Sequence, residues 1–383
     1  MKETFSSYLE MLSQKLIRGC VTKTPAGITL FTPDGVASYD ALWLRDFAYM
    51  AEYAGDFISN DELEGCIRYA LSGKREDGWM PDRIYADGMV AYAAGVVGKP
   101  VGEANLDNTP FLIYAVWQLL SRLPVSKAKP LFETWQSDLV QGLRAIPRST
   151  RGLVYSSPAA PHSPYGFTDT VAKTGELMME SLLYWRAAKM MSVLQHRYGF
   201  THKADLTEDA ALIENNLQAL YDEESGMFLA ATQDCRQIDI WGNAYLLYIG
   251  FPAAKAKETI LSYLSTHLWD FTYKGQIRHL PPREYWQRLL IDVAHDEYQN
   301  GAYWATATGW VLWCVAQKDA KSAFELLTKV VYSFQNDGVF ECVNEGYEKL
   351  DSFVVSATNV LGGFRRAVHE FPALAELVLS ADL

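Results

Sequence analysis

Several common signatures are missing from this 383-residue chain, and each absence removes a class of function. No run reaches the roughly 20 consecutive apolar residues that a membrane-spanning helix needs. The first segment, MKETFSSYLEMLSQKLIRGC, reads as an amphipathic helix rather than a charged stretch followed by an apolar one, so no secretory leader is expected and the chain reads as cytoplasmic. Five scattered cysteines (Cys20, Cys66, Cys235, Cys314, Cys342) make no Cys-x-x-Cys pair, which suits free thiols in a reducing compartment. The histidines never fall at metal-ligand spacing, and there is neither a glycine-rich phosphate loop nor a Gly-x-Ser-x-Gly elbow. Neither metal nor cofactor is therefore expected. A net charge of −12 without any Lys/Arg cluster argues against nucleic acid as a partner. No linker rich in Pro, Gly or Ser divides the sequence, so residues 1–383 are read as a single domain, large enough to bury about three quarters of its unfolded surface.

What is present is an alternation. Polar segments such as NDELEGCIRYALSGK, ADLTEDAALIENNLQALYD and DAKSAFELLTKVVYSFQ carry apolar residues at helical spacing on one face only. Each is followed by a segment apolar around most of its circumference, such as DNTPFLIYAVWQLL, GELMMESLLYWRAAKMMSVL or GAYWATATGWVLWCVAQ. The first kind needs one wet side, and the second must be covered on nearly all sides. Asp46, Asp107, Asp169, Asp239, Asn300 and Asp351 mark the starts of the covered segments, at a loose period of roughly sixty residues, the length of one helical hairpin. An open stack of hairpins would leave an apolar face at each terminus, so a closed ring is expected: an all-α (α/α)6 toroid with six inner and six outer helices. In such a ring the inner helices run parallel, and their N-termini share one mouth.

Aromatic residues point to what that mouth would accept. Trp43, Trp79, Trp241, Trp286, Trp304 and Trp310 lie in or near the segments that would line it, beside Asp, Asn, Gln and Arg. Sugar rings offer apolar C–H faces and hydroxyl edges, which pair with aromatic platforms and hydrogen-bonding side chains.

Two segments carry a family resemblance. YDALWLRDFAYMAEYAGDF (Tyr39 to Phe57) resembles the Trp-x-Arg-Asp motif of the six-hairpin glycosidases, among them neutral/alkaline invertases, glucoamylases and trehalase-like relatives. YQNGAYWATATGW (Tyr298 to Trp310) is similar to the Tyr-Gln-Asn-Gly-Gly-x-Trp segment that those invertases carry on a late inner helix, with Ala302 in place of the second glycine. The resemblance implies a glycoside hydrolase of inverting type acting on a small oligosaccharide or glycoside. It also implies a general acid between the fifth and sixth helices and a general base between the eleventh and twelfth. The first of these loops, STRGLVYSSPAAPHSPYGFTDTVAKTG, offers Asp169 as the acid, with helix capping as its structural alternative. The second, NDGVFECVNEGYEKLDSF, offers Glu345 within a Glu-Gly-Tyr sequence as the base, or failing that Glu341. There Glu348 beside Lys349 reads as a solvated charge pair, and Asp351 as the cap of the closing helix. Inversion needs the two carboxyls about 6.5–9.5 Å apart, a separation that two loops facing across a ring can hold.

The remaining candidates are substrate binders. Trp43, Arg45, Asp46, Trp241, Gln299, Asn300 and Trp304 are expected around the mouth, with Lys173 beside Asp169. Arg45 and Asp46 have an equal alternative as a buried ion pair. A long excursion at about residues 74–106 is expected to form a lid or wall, with Asp82, Arg83, Asp107 and Asn108 as its sugar contacts and, for Asp82 and Arg83, pinning of the loop as the structural alternative. Two other readings of the same ring stay open. A sugar epimerase or isomerase would use His162, His279 or His295 as a base, and a non-catalytic carbohydrate-binding protein would use its acids only as caps.

Overall fold

The computed structural model describes residues 4–200 and 206–381. Its helices come in outer–inner pairs. The first pair is α1 (Phe5–Gly19) and α2 (Leu44–Tyr53), followed by α3 (Asn60–Ser72) with α4 (Asn108–Arg122) and α5 (Val125–Ala145) with α6 (Met178–Tyr198). Next come α7 (Leu206–Asn216) with α8 (Ile240–Tyr248), α9 (Ala254–Thr266) with α10 (Thr308–Ala316), and α11 (Ala320–Asn336) with α12 (Val354–Glu370). A short α13 (Pro372–Ser380) follows and packs on α11 and α12.

The amphipathic pattern decides which helix goes where. In α3 only Leu63, Cys66, Ile67 and Ala70 are buried, a single stripe at helical spacing, and Ser59 and Glu62 close a reciprocal capping box at its start. All nine residues of α8 and all nine of α10 are buried, as expected for helices covered all round. The inner helices pack in sequence, α2 on α4, α4 on α6, α6 on α8, α8 on α10 and α10 on α12. Then α12 packs back on α2, and the ring closes. Glycines set the tightest seam: a Cβ on Gly309 of α10 would lie 2.3 Å from the Asn359 carbonyl of α12, so these helices touch backbone to backbone. The fold is an (α/α)6 toroid. No helix among the described residues is long and apolar enough to cross a membrane.

The strands are two or three residues long and lie in the loops. One five-stranded antiparallel sheet runs Thr272–Tyr273, Gln276–Arg278, Tyr303–Trp304, Cys342–Asn344, Tyr347–Lys349, and so ties the α9–α10 loop to the α11–α12 loop. A three-stranded sheet of Leu42–Trp43, Arg83–Ile84 and Val90–Ala91 fixes the residues just before α2 against the excursion that follows α3.

Helix starts differ from the sequence expectation in three places. Asp169 stands nine residues ahead of α6 and Asn300 eight ahead of α10, because a short strand intervenes before each helix, followed before α10 by a 3-10 turn. Asp351 does not cap α12, whose N-cap is Phe353; its Oδ1 instead accepts the N–H groups of Val339 and Ser352.

Candidate active site

At the end of the ring where the inner helices begin, the loops enclose a cavity of about 180 Å³. Its wall includes Tyr39, Trp43, Asp46, Asp169, Tyr298 and Glu341, and Phe167 and Phe353 supply apolar surface. Trp304 and Trp241 are fully buried behind Phe167, with ring centroids 5.7 and 6.2 Å from it. They form an aromatic foundation rather than cavity wall.

Asp169 follows a one-turn 3-10 helix, Gly166–Thr168, on the loop between α5 and α6. It caps no α-helix. Its Oδ1 accepts a hydrogen bond from Gln299 Nε2 at 2.9 Å, while Gln299 Oε1 accepts from Thr170 N and Oγ1 at 2.8 and 2.7 Å. One glutamine side chain therefore fixes this loop to the segment before α10. Burial pushes the Asp169 pKa up from 3.8 to about 6; Arg45, Gln299 and Lys349 oppose the rise and the Asp82 charge adds to it.

Glu341 approaches from the loop between α11 and α12. It is 3 % exposed and accepts from Tyr39 Oη at 3.0 and 3.3 Å, with Lys349 Nζ 3.1 Å from its Oε2. Burial pushes its pKa up as well, and Lys349 and Tyr39 pull it back toward the ionised form, against the nearby Asp169 charge. The two acids thus sit in one cavity with different electrostatic surroundings.

Asp46, in the first turn of α2, is a third buried acid on the wall. Its pKa rises from 3.8 to about 8 because burial outweighs the attraction of Arg45, and the Glu341 and Asp82 charges add to the rise. Beneath it lies an ionic cluster. Asp82 accepts from both terminal nitrogens of Arg45 at 2.7 Å and from Arg83 Nη1 at 2.6 Å, and Asn105 donates to it at 3.2 Å. Arg45 in turn lies across Gly166, where a Cβ would come within 1.6 Å of the guanidinium Nε, so only glycine admits this contact.

Of the expected sugar binders, the structure brings Trp43, Arg45 and Asp46 to the cavity wall. The others do not line it. Asp82 and Arg83 hold Arg45 and the excursion, where Arg83 also donates to the Ala93 and Gly95 carbonyls. Asp107 accepts the Gly166 N–H at 2.8 Å and lies 3.8 Å from Arg45, and burial pushes its pKa to about 7. Asn108 donates to the carbonyls of Met80 and Tyr92. Lys173 is not beside Asp169; it forms a fully buried ion pair with Glu180 at 2.7 Å. Trp241 stacks on His279, and Trp304 donates to the Tyr298 carbonyl. Asn300 accepts from Trp286 N and donates to Val293, binding its own loop. Gln299 does not line the cavity and reaches it through Gly166, Asp169 and Thr170. From the excursion, Ala94 and Gly95 border the cavity.

Glu345 is exposed in the two-residue loop between Asn344 and Tyr347, with Gly346 at φ +70°, and does not line the cavity. An apolar strand, a Glu-Gly pair and a second strand together form a hairpin signature that sets Glu345 at the tip. Tyr39 and Tyr298 carry no role in the sequence reading, and Lys349 figures there only as a solvated partner of Glu348. The two tyrosines open the two motif segments, but nothing in the local pattern marks them as facing an acid.

No protein-family model matches the sequence, and no curated protein matches it either. Solved structures do. A mannosylglycerate hydrolase from Thermus thermophilus, in complex with Tris and D-glycerate, superposes with a TM-score of 0.66 at 15 % identity, covering 93 % of this chain and 100 % of that one. This chain shares the six-hairpin (α/α)6 fold of that structure. A glucoamylase from Saccharomycopsis fibuligera gives 0.63 at 12 % identity over 98 % and 95 % of the two chains. A rhamnosidase from Klebsiella oxytoca with rhamnose bound gives 0.68 at 12 % identity over 95 % of this chain, which spans 64 % of that enzyme's length.

Proposed function

We propose that this chain is a glycoside hydrolase that cleaves with inversion, Asp169 donating a proton to the leaving oxygen and Glu341 activating water. The supporting observation is the pair of buried acids sharing one cavity in unlike surroundings. Asp169 is raised to about 6, which favours the protonated form a donor needs. Glu341 is held by a lysine and a tyrosine hydroxyl, which favour a carboxylate. Both lie on the loops at which the six-hairpin resemblance puts the acid and the base. Burial lifts the Asp46 pKa to about 8, which favours the protonated form and an O–H offered to a sugar hydroxyl, while Trp43 presents an aromatic face.

A cavity of about 180 Å³ is small beside the ~300–1,000 Å³ typical of sites for larger ligands, which supports recognition of a single terminal sugar residue. The carbohydrate and glycerate named for the similar structures support a small glycoside as substrate. For an epimerase the required histidine is missing from the cavity lining: His162 stacks on Trp79, His279 on Trp241 and His295 on Tyr285. The five cysteines are all buried and free, which supports a reducing, cytoplasmic setting.

The test is hydrolysis of a panel of aryl glycosides and disaccharides, with the first-formed anomer followed by NMR. Inverted product is expected. Asp169→Asn should lower turnover about 10²- to 10⁴-fold, least on activated leaving groups, and Glu341→Gln should lower it without that relief. Glu345→Gln should stay near normal. Retained configuration, or a collapse of activity in Glu345→Gln with Glu341→Gln unaffected, would overturn the mechanism. Tight sugar binding with no turnover would leave a carbohydrate-binding toroid.

A further inference from the structure

The hydrolase reading uses Lys349 only through its contact with Glu341, yet this side chain touches three members of the site. The hairpin register pairs Cys342 with Lys349, and the Glu341 N–H donates to the Lys349 carbonyl at 3.0 Å, so acid and lysine are neighbours across the two strands. The Lys349 ammonium lies 3.1 Å from Glu341 Oε2, donates to Tyr39 Oη at 3.3 Å and sits 3.1 Å from the Tyr298 ring centroid. Tyr39 Oη accepts from the lysine and donates to Glu341 at 3.0 Å. The ammonium therefore acts on the carboxylate twice, once directly and once by polarising the phenol that hydrogen-bonds it. The tyrosine face supplies the third side of its enclosure, a favourable place for a cation.

We propose that Lys349 is a positioning residue that holds Glu341 ionised and thereby sets the pH range over which the base works. The inference rests on the hydrolase reading and gives a function to a residue outside the reacting pair. The groups facing Glu341 are few. Lys349 and Tyr347 come from the other strand of the hairpin, Tyr39 from the segment before α2, and Tyr298 from the segment before α10. Asp46 and Asp169 add like charge when ionised. Lys349 is the single cation among them, since Arg45 is committed to Asp82. Lys349 also opposes the rise of Asp169. A purely mechanical staple would hold the hairpin together and leave both titrations alone.

Removing the charge should move both limbs of the activity profile the same way. Glu341 without its cation keeps its proton to higher pH, so the acidic limb rises. Asp169 also keeps its proton to higher pH, so the alkaline limb follows. A partly exposed ammonium in contact with a carboxylate calls for a shift of about one pH unit on the acidic limb, at the low end of the range for opposite charges in contact. The experiment measures kcat/KM against pH for wild type, Lys349→Met and Lys349→Arg on one aryl glycoside that the wild type hydrolyses, with thermal melts alongside. The expected result is a bell displaced to higher pH in Lys349→Met, and a bell near the wild-type position in Lys349→Arg, which keeps the charge. A Lys349→Met bell that is lower but not displaced would overturn the proposal and reduce Lys349 to a staple. If Lys349→Met loses its cooperative melt, Lys349→Gln retains a donor to Tyr39 without charge and must show the same displacement. A wild type inactive on the whole panel would instead remove the hydrolase reading, a result distinct from an active enzyme whose profile ignores Lys349.

Discussion

Replacing Asp46 with asparagine isolates what it costs to keep a carboxylate in the cavity wall. Asp46 is 4 % exposed, and its Oδ1 has no hydrogen-bond partner among the described residues. Its pKa stands at about 8 in the fold against an ordinary 3.8. A folded pKa above the unfolded one means that the folded state holds the proton more tightly. The stability tied to this group is therefore complete below about pH 4 and is lost as pH rises through about 8. At about 1.36 kcal/mol per unit, a rise of about four units sets a ceiling of about 6 kcal/mol. Rearrangement and water entry around an ionised group reduce the expected loss to about 2 to 3 kcal/mol. Asparagine mimics the protonated acid at every pH. Urea unfolding followed by tryptophan fluorescence should give matching stabilities for wild type and Asp46→Asn below about pH 4, and an advantage for the variant at about pH 9. A gap that stays constant between these conditions, or that favours the wild type at high pH, would refute the reasoning and return Asp46 to an ordinary ionised carboxylate.

Lys173→Met should destabilise the fold by about 3 to 5 kcal/mol in chemical denaturation, because it strands the Glu180 charge in a site with no solvent access. The pH profile of any surviving activity should keep its wild-type position, and a displaced profile would tie Lys173 to the reaction after all. Asn108→Ala should lose about 1 to 3 kcal/mol of stability through the Met80 and Tyr92 carbonyls while KM stays unchanged. A higher KM at unchanged stability would restore Asn108 as a sugar contact.

The ring was legible in the sequence because amphipathicity is a local property. A helix such as α3, with one buried stripe, and one such as α10, buried throughout, differ within a dozen residues of chain. The loops that carry the acids follow from the order of the helices. What the sequence hides is decided at a distance. Lys173 lies four residues from Asp169 in the chain, but its partner is Glu180, because the loop straightens into a short strand at Gly175–Glu176 before α6 begins. Sequence adjacency pairs Lys349 with Glu348, yet successive residues of a strand face opposite ways: Lys349 meets Glu341, while Glu348 lies 3.8 Å from Lys274. Tyr39 and Glu341 are 302 positions apart and meet only because the ring closes.

Closure of the ring also governs assembly. A stack of hairpins can gain stability one repeat at a time, but here α12 must dock on α2 before either seam is covered. Until then the apolar flanks of α2 and α10 face water, and Glu341 has not met Tyr39. Such a topology concentrates its stabilising contacts in a late, long-range event, which slows folding and leaves the incomplete chain open to aggregation. A chain truncated before α11 should therefore behave as a sticky, partly ordered species rather than as a smaller version of the protein, and supplying the α11–α12 hairpin as a separate peptide becomes a direct way to watch the cavity form.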